Sequence, residues 1–141
     1  MATIFTRIID GELPGRFVWR DETVVGFLAL HPLSSGHTLV VPRLEIDQWT
    51  DLPVEVAAHL MTAAHHIGAA QKAAFGSDRI GLIIAGFEVP HTHVHVFGAA
   101  DMAAFDFANA SADPEPPDMD DAAEAIRTAL RDSGHGTTVV D

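Results

Sequence analysis

Apolar and polar positions in this chain alternate with two periods. Ile4, Phe5 and Ile8 fall on one side of a short helix over Ile4–Asp10, because residues three and four apart share a helical face. Gly11, Pro14 and Gly15 break it. Phe17–Arg20 and Thr23–Leu30 are dense in β-branched and aromatic residues and predict two strands around an Asp21-Glu22 turn, with a loop over His31–Gly36. His37–Val41 predicts a third strand, stopped by Pro42, which has no N–H to give a ladder. Arg79–Ala85 and His91–Phe97 predict a fourth and a fifth, the latter ending at Gly98.

Between the third and fourth strands the period changes. Val56, Leu60, Ala63, Ile67, Ala70 and Ala74 step by four and three, predicting one long helix from the Asp51-Leu52-Pro53 start to Gly76. Twelve of residues 55–74 are Ala, Val, Leu, Ile or Met, which is wider than a one-sided stripe. The polar line is only Glu55, His59, Thr62 and His66. A second helix face therefore needs a cover, and a second subunit is the simplest one. Residues 111–119 read as an acidic, proline-rich linker, Asp120–Leu130 as a last helix, and the tail beyond Ser133 as frayed. Runs of strands around one main helix predict an α+β fold: a mostly antiparallel sheet with a main helix, a short N-terminal helix and a C-terminal helix. Residues 1–110 form the domain; 111–141 are the linker, helix and tail belonging to it.

Composition narrows the chemistry. At 141 residues the chain is one domain's worth, and the absence of cysteine removes disulfides, thiolate metal ligands, iron–sulfur clusters and a thiol nucleophile. The net charge of −12 is uneven: residues 101–141 hold 10 acids against Arg127 and Arg131, residues 1–100 hold 10 against 6 bases. Such a chain repels nucleic-acid backbones and anionic membranes at long range. No apolar run reaches signal-peptide or membrane-spanning form, so a soluble cytoplasmic protein is expected.

The informative segment is His91-Thr92-His93-Val94-His95-Val96. On a strand, alternate side chains share a face, so the three histidines would point one way and Thr92, Val94 and Val96 the other, into apolar packing. One reading is a solvent-facing strand that happens to use histidine. A second is a metal site, in which one neighbouring pair, about 6.5–7 Å apart at Cα, would chelate with help from His37 or Glu88. A third is an imidazole nucleophile flanked by imidazole helpers: neutral histidine carries a free lone pair at neutral pH and can attack phosphorus.

The run His91-Thr-His-Val-His-Val-Phe-Gly resembles the signature of the histidine triad (HIT) family, in its Hint-like, actinobacterial-type branch. Ile4-Phe5 with Ile8-Ile9-Asp-Gly-Glu-Leu-Pro14 resembles the family's N-terminal segment. Phe27-Leu-Ala-Leu-His-Pro32 followed by Gly36-His-Thr-Leu-Val-Val-Pro42 resembles a second. The resemblance spans about residues 3–98. It implies a five-stranded antiparallel sheet, a homodimer built partly through the central helix, and hydrolysis or transfer at the α-phosphate of a nucleotide conjugate through a nucleotidyl-histidine, of phosphoramidase or dinucleoside polyphosphate hydrolase type. No cofactor or metal is implied. His93 corresponds to the nucleophile, His95 to the group that bonds the phosphate or departing group, His91 to an orienting residue and His37 to a supporting fourth histidine. Ile4, Phe5, Ile8, Phe27 and Leu30 match positions lining a purine pocket. Two other functions stay open: a non-catalytic nucleotide-binding or protein-interaction module, and a metal-dependent hydrolase using the histidine cluster.

Three departures from the pattern bear on specificity. Ala29 stands where the family has an Asp that holds ribose hydroxyls. Gly86-Phe87-Glu88-Val89 lacks the usual phosphate-contacting amide, and Glu88 is a candidate for recognising an amine on the leaving group or acting as its acid. Thr3 and Thr6 stand where some relatives carry a cysteine pair for structural zinc. His31, His59, His65, His66 and His135 read as surface or packing residues, and His65 and His66, as helical neighbours, do not share a face.

Overall fold

The computed structural model describes residues 1–139. Its elements, in chain order, are α1 (Ile4–Ile9), β1 (Phe17–Arg20), β2 (Val24–Leu28), β3 (Thr38–Pro42), α2 (Val54–Phe75), β4 (Arg79–Ile83), β5 (Val94–Ala99) and α3 (Pro116–Asp132). The strands form one antiparallel five-stranded sheet in the order β1-β2-β3-β5-β4, as the α+β reading expects. The first hairpin closes on Asp21, whose Oδ1 accepts the N–H groups of Thr23 and Val24 at 2.8 Å each.

The two faces of the sheet have different jobs, and the strand alternation assigns them. Val24, Leu28, Val40, Val94 and Val96 pack on one face with Leu60, Ala63 and Ile67 of α2. Val25, Phe27, Ala29, Leu39 and Val41 point to the other, beneath Phe5 and Ile8 of α1. Both faces are covered, which is why β2 and β3 read as continuous apolar runs. Leu39 pairs with His95 in the β3–β5 register, so His95 shares the α1 face while its neighbours Val94 and Val96 enter the core under α2. The α2 side is locked by Gln71, whose Nε2 donates to the carbonyls of Gly36 and Val96 at 2.9 Å each. Gly36 has φ +82, and a Cβ there would meet the Phe75 ring, so the turn that delivers His37 requires glycine.

Four expectations are corrected. The wide apolar surface of α2 is covered by α3 of the same chain: Met119, Ala122, Ala123, Ile126 and Leu130 join the α2 core. The helix width therefore does not by itself call for a second subunit. The proline-rich stretch is not all linker, since α3 begins at Pro116-Pro117, where the missing proline N–H groups have no helical partner to lose. The tail is packed as far as it is described: Val139 rests on the core, and His135 lies against His66 with ring centroids 4.1 Å apart. Val140 and Asp141, also assigned to the frayed tail, lie outside the described residues. Finally, β5 starts at Val94, so His91, Thr92 and His93 precede the ladder. Thr92 does not enter apolar packing; its N–H and hydroxyl both donate to the Ile46 carbonyl, at 2.7 and 2.9 Å. Among the described residues no helix is long and apolar enough to cross a membrane.

Candidate active site

A cavity of about 950 Å³ opens on the α1 face of the sheet. Its apolar walls include Ile4, Phe5, Ile8, Phe27 and Leu30, with Glu88 at the loop before the triad, and His37, His93 and His95 line the same space. His91 does not. It is fully buried behind the wall, so the three imidazoles do not share one open face. The segment 91–93 runs outside the ladder and turns its first ring away.

The hydrogen bonds fix which nitrogen of each ring carries a proton. His91 Nε2 lies 2.8 Å from the Pro42 carbonyl, which can only accept, so Nε2 is protonated. His91 Nδ1 then accepts from the Thr3 hydroxyl at 2.7 Å. His93 Nδ1 lies 2.8 Å from the His91 carbonyl and must donate to it, which leaves the Nε2 lone pair of His93 unused. The Leu33 N–H donates to His37 Nδ1 at 2.9 Å, so His37 holds its proton on Nε2 and gives it to His95 Nδ1 at 3.0 Å. His95 is thereby left with an N–H at Nε2. The fold thus sets a bare lone pair on His93 beside an N–H donor on His95, with ring centroids 5.0 Å apart.

Burial favours the neutral form of the three rings that line the cavity. His37, 1% exposed, is pushed down to about 3, first by desolvation and then by His95. His95 is pushed down to about 4 by desolvation and by His93. His93 is also lowered, chiefly by burial; its bond to the His91 carbonyl and the nearby Glu88 carboxylate oppose the shift. Two phenylalanines brace the pair: Phe5 meets His93 edge-on at 4.8 Å, and Phe107 tilts against His95 at 4.8 Å.

Sequence reading missed several of these groups. Phe107 belongs to a 3-10 helix, Phe107–Asn109, beyond the triad strand. It, Ala110 and Ala112 build a wall from a stretch with no motif of its own. Arg16 and Asp120 line the cavity as an ion pair at 2.7 Å, bridging the segment before β1 to α3. His31, read as a surface residue, also lines the cavity. The other histidines sit elsewhere: His59 pairs with Asp21 at 2.7 Å, and His66 stacks on Trp19 at 6.0 Å.

A model of the HIT domain matches residues 10–102. The purine nucleoside phosphoramidase of Escherichia coli is 31% identical over 104 residues, covering 68% of this chain and 86% of that protein. A zinc-bound histidine triad family protein from Mycobacterium smegmatis superposes with TM-score 0.80 at 25% identity, covering 96% of this chain and 98% of the other. A hypothetical histidine triad nucleotide-binding protein from Sulfolobus tokodaii gives TM-score 0.79 at 26% identity, covering 91% of each. A structural zinc at the positions of Thr3 and Thr6, where the family resemblance raised a cysteine pair, does not suit this chain. Neutral hydroxyls are poor zinc ligands, and the Thr3 hydroxyl already holds His91 Nδ1. Among the described residues no three His, Asp or Glu side chains converge as metal ligands.

Proposed function

From the premise that the chain belongs to the histidine triad (HIT) family, we propose that it is a nucleotide hydrolase or transferase acting at an α-phosphate through a covalent nucleotidyl-histidine. The observation that carries this reading is the unused Nε2 lone pair of His93 at the cavity wall, next to the Nε2–H of His95. A neutral imidazole needs no external base to attack phosphorus.

The cycle has two displacements. His93 Nε2 bonds to phosphorus as the bond from phosphorus to the leaving group breaks. For an amine leaving group, the electron pair departs with a nitrogen that has taken a proton from solvent. The ring becomes an N-phosphoryl imidazolium whose Nδ1–H stays on the His91 carbonyl. Water then attacks phosphorus, the P–N electron pair returns to Nε2, and the water's proton goes to solvent. His95 donates its N–H to a phosphoryl oxygen or the departing atom without surrendering it, because the His37 bond holds its other nitrogen as an acceptor. His37 and His91 hold the two rings in these states.

The apolar walls of Ile4, Phe5, Ile8, Phe27 and Leu30 suit a flat base, and a cavity of about 950 Å³ has room for a purine. The charge of the wall favours an amine over a polyphosphate leaving group. Arg16 is the one guanidinium or ammonium lining it among the described residues, and its Nε is bound to Asp120. A second copy of the chain would pair through the outward apolar side chains of α2 and the sheet-edge strand β4, where Met61 and Leu82 are exposed.

The test is the intact mass of the protein after brief exposure to a panel of nucleotide conjugates, with turnover measured in parallel. The expected result is a nucleotidyl adduct in the wild type, absent from His93→Ala, and a loss of turnover of at least about 10³-fold in that variant. Near-normal turnover by folded His93→Ala would remove the nucleophile.

A further inference from the structure

Glu45 lies on the loop after β3 and does not line the cavity, yet its contacts lead to the reacting ring. One oxygen, Oε1, accepts the Thr3 backbone N–H at 2.7 Å and the Thr6 hydroxyl at 2.7 Å. These two bonds hold the Glu45 carboxyl below the usual carboxylate range. Thr3 also caps α1, its Oγ1 accepting the Thr6 N–H at 3.2 Å. With its backbone tied to Glu45 and its oxygen used by the cap, Thr3 has one hydroxyl hydrogen left; of the two acceptors in its reach, His91 Nδ1 at 2.7 Å is much nearer than the Thr6 hydroxyl at 3.4 Å and takes it.

That single donor has a large consequence. It satisfies Nδ1 of the buried His91 ring, whose Nε2–H donates to Pro42, and the ring held at both nitrogens anchors the His91 backbone that presents its carbonyl to His93 Nδ1. We propose that Glu45, Thr3 and Thr6 form a metal-free positioning clamp for the nucleophile, in which an exposed carboxylate sets the proton position and orientation of His93 through Thr3 and His91. Because α1 also carries Phe5, which abuts His93, the same clamp fixes the ring from its edge.

This inference rests on His93 as the attacking group, and its test separates the two. In ¹⁵N spectra of the histidine rings at pH 7.5, the wild type should show His93 with its proton on Nδ1. In Thr3→Val and Glu45→Ala that population should fall, while Thr3→Ser and Glu45→Gln, which keep the donor and the acceptor, should retain it. On a nucleoside phosphoramidate, kcat should drop by about tenfold in the first pair, as expected of a modest misplacement, and recover to within about twofold in the second. Should Thr3→Val fail to fold, Glu45→Ala, which removes exposed atoms, carries the test. Folded Glu45→Ala with an unchanged His93 ring and unchanged kcat overturns the clamp. A changed ring with no turnover in any form of the protein leaves the clamp standing and removes the nucleophile.

Discussion

The bond between His37 and His95 runs in one direction. His37 Nε2 lies 3.0 Å from His95 Nδ1, and the Leu33 N–H occupies the other His37 nitrogen, so His37 donates and His95 accepts. Protonating His95 at Nδ1 would break this link, which agrees with its fall to about 4 through burial and the adjacent His93. The wild-type kcat/KM should therefore hold on the acid side until His93 protonates, below the ordinary histidine range. His37→Ala opens His95 Nδ1 to solvent. A His95 that protonates more readily places a cation beside His93 as that ring becomes an imidazolium, so the variant's kcat/KM should fall more steeply than the wild type's between pH 7.5 and pH 5.5. Profiles of the two proteins that superpose on the acid limb would show that the bond does not set the state of His95.

The same burial makes the fold acid-sensitive. His37 titrates at about 3 when folded, against about 6.5 in an unfolded chain. Between these values the unfolded state binds the extra proton, so stability is complete above about 6.5 and is lost as pH falls toward 3. His37 alone should weaken folding by roughly 2 kcal/mol between pH 7.5 and pH 5. Urea melts at the two pH values measure this, and the loss should shrink in a folded His37→Ala variant.

Local pattern was enough to locate most of the framework. Short runs dense in apolar and β-branched residues marked five strands, the four-and-three spacing marked α2, and Gly76 ends that helix in a left-handed cap. What local pattern could not carry is what depends on distant chain. Alternation along a strand suggested that His91, His93 and His95 share a face, but the ladder begins at Val94, and Thr92 pairs with Ile46 instead of sheet neighbours. His91 therefore turns inward to a carbonyl 49 positions away. The wide apolar face of α2 was read correctly as needing a cover, but α3 supplies it, after a stretch whose prolines look like a linker until they are seen as a first helical turn. Phe107 joins the site only because the chain folds back over β5, and nothing at its own position announces that.

Phe107 tests how much the wall beyond the triad matters. Its ring sits 4.8 Å from that of His95 and is partly open to solvent, so its loss leaves no sealed void. Phe107→Ala should fold normally and lower kcat/KM by about 3- to 10-fold, the range of a lost aromatic contact of about 0.5–1.5 kcal/mol. Phe107→Leu should recover part of this. Unchanged kinetics in folded Phe107→Ala would make the contact incidental.

Ala29 bears on the sugar. It is 5% exposed, packs with Phe5 and Phe27, and lines the cavity; the family resemblance implies a ribose-binding Asp at its position. A charged acceptor of that kind is worth about 1.5–3 kcal/mol, or roughly 10- to 100-fold between a ribose and a deoxyribose. Without it, kcat/KM for matched ribo- and 2′-deoxyribonucleoside phosphoramidates should differ by less than about threefold. A ratio above tenfold would mean that another group reads the hydroxyls.

Glu88 bears on the leaving group. It lines the cavity close enough to His93 to favour that ring's protonated form, and the one lining guanidinium, Arg16, is tied to Asp120. A leaving group that brings further phosphates meets a carboxylate and finds no free ammonium or guanidinium in the wall among the described residues. One that carries a protonated amine meets an attractive partner. The interaction is exposed, so each sign is worth about 0.2–1 kcal/mol. Glu88→Gln should shift the ratio of kcat/KM between a cationic amine-linked nucleotide and an anionic polyphosphate-linked one by about 3- to 10-fold toward the polyphosphate. The shift should fade at 0.5 M salt, where surface charges are screened. Comparison of amine-linked with neutral aryl-linked nucleotides completes the argument: equal losses on both in Glu88→Gln would assign Glu88 to the architecture of the loop, whereas a loss confined to the amine identifies it as the residue that recognises the departing group.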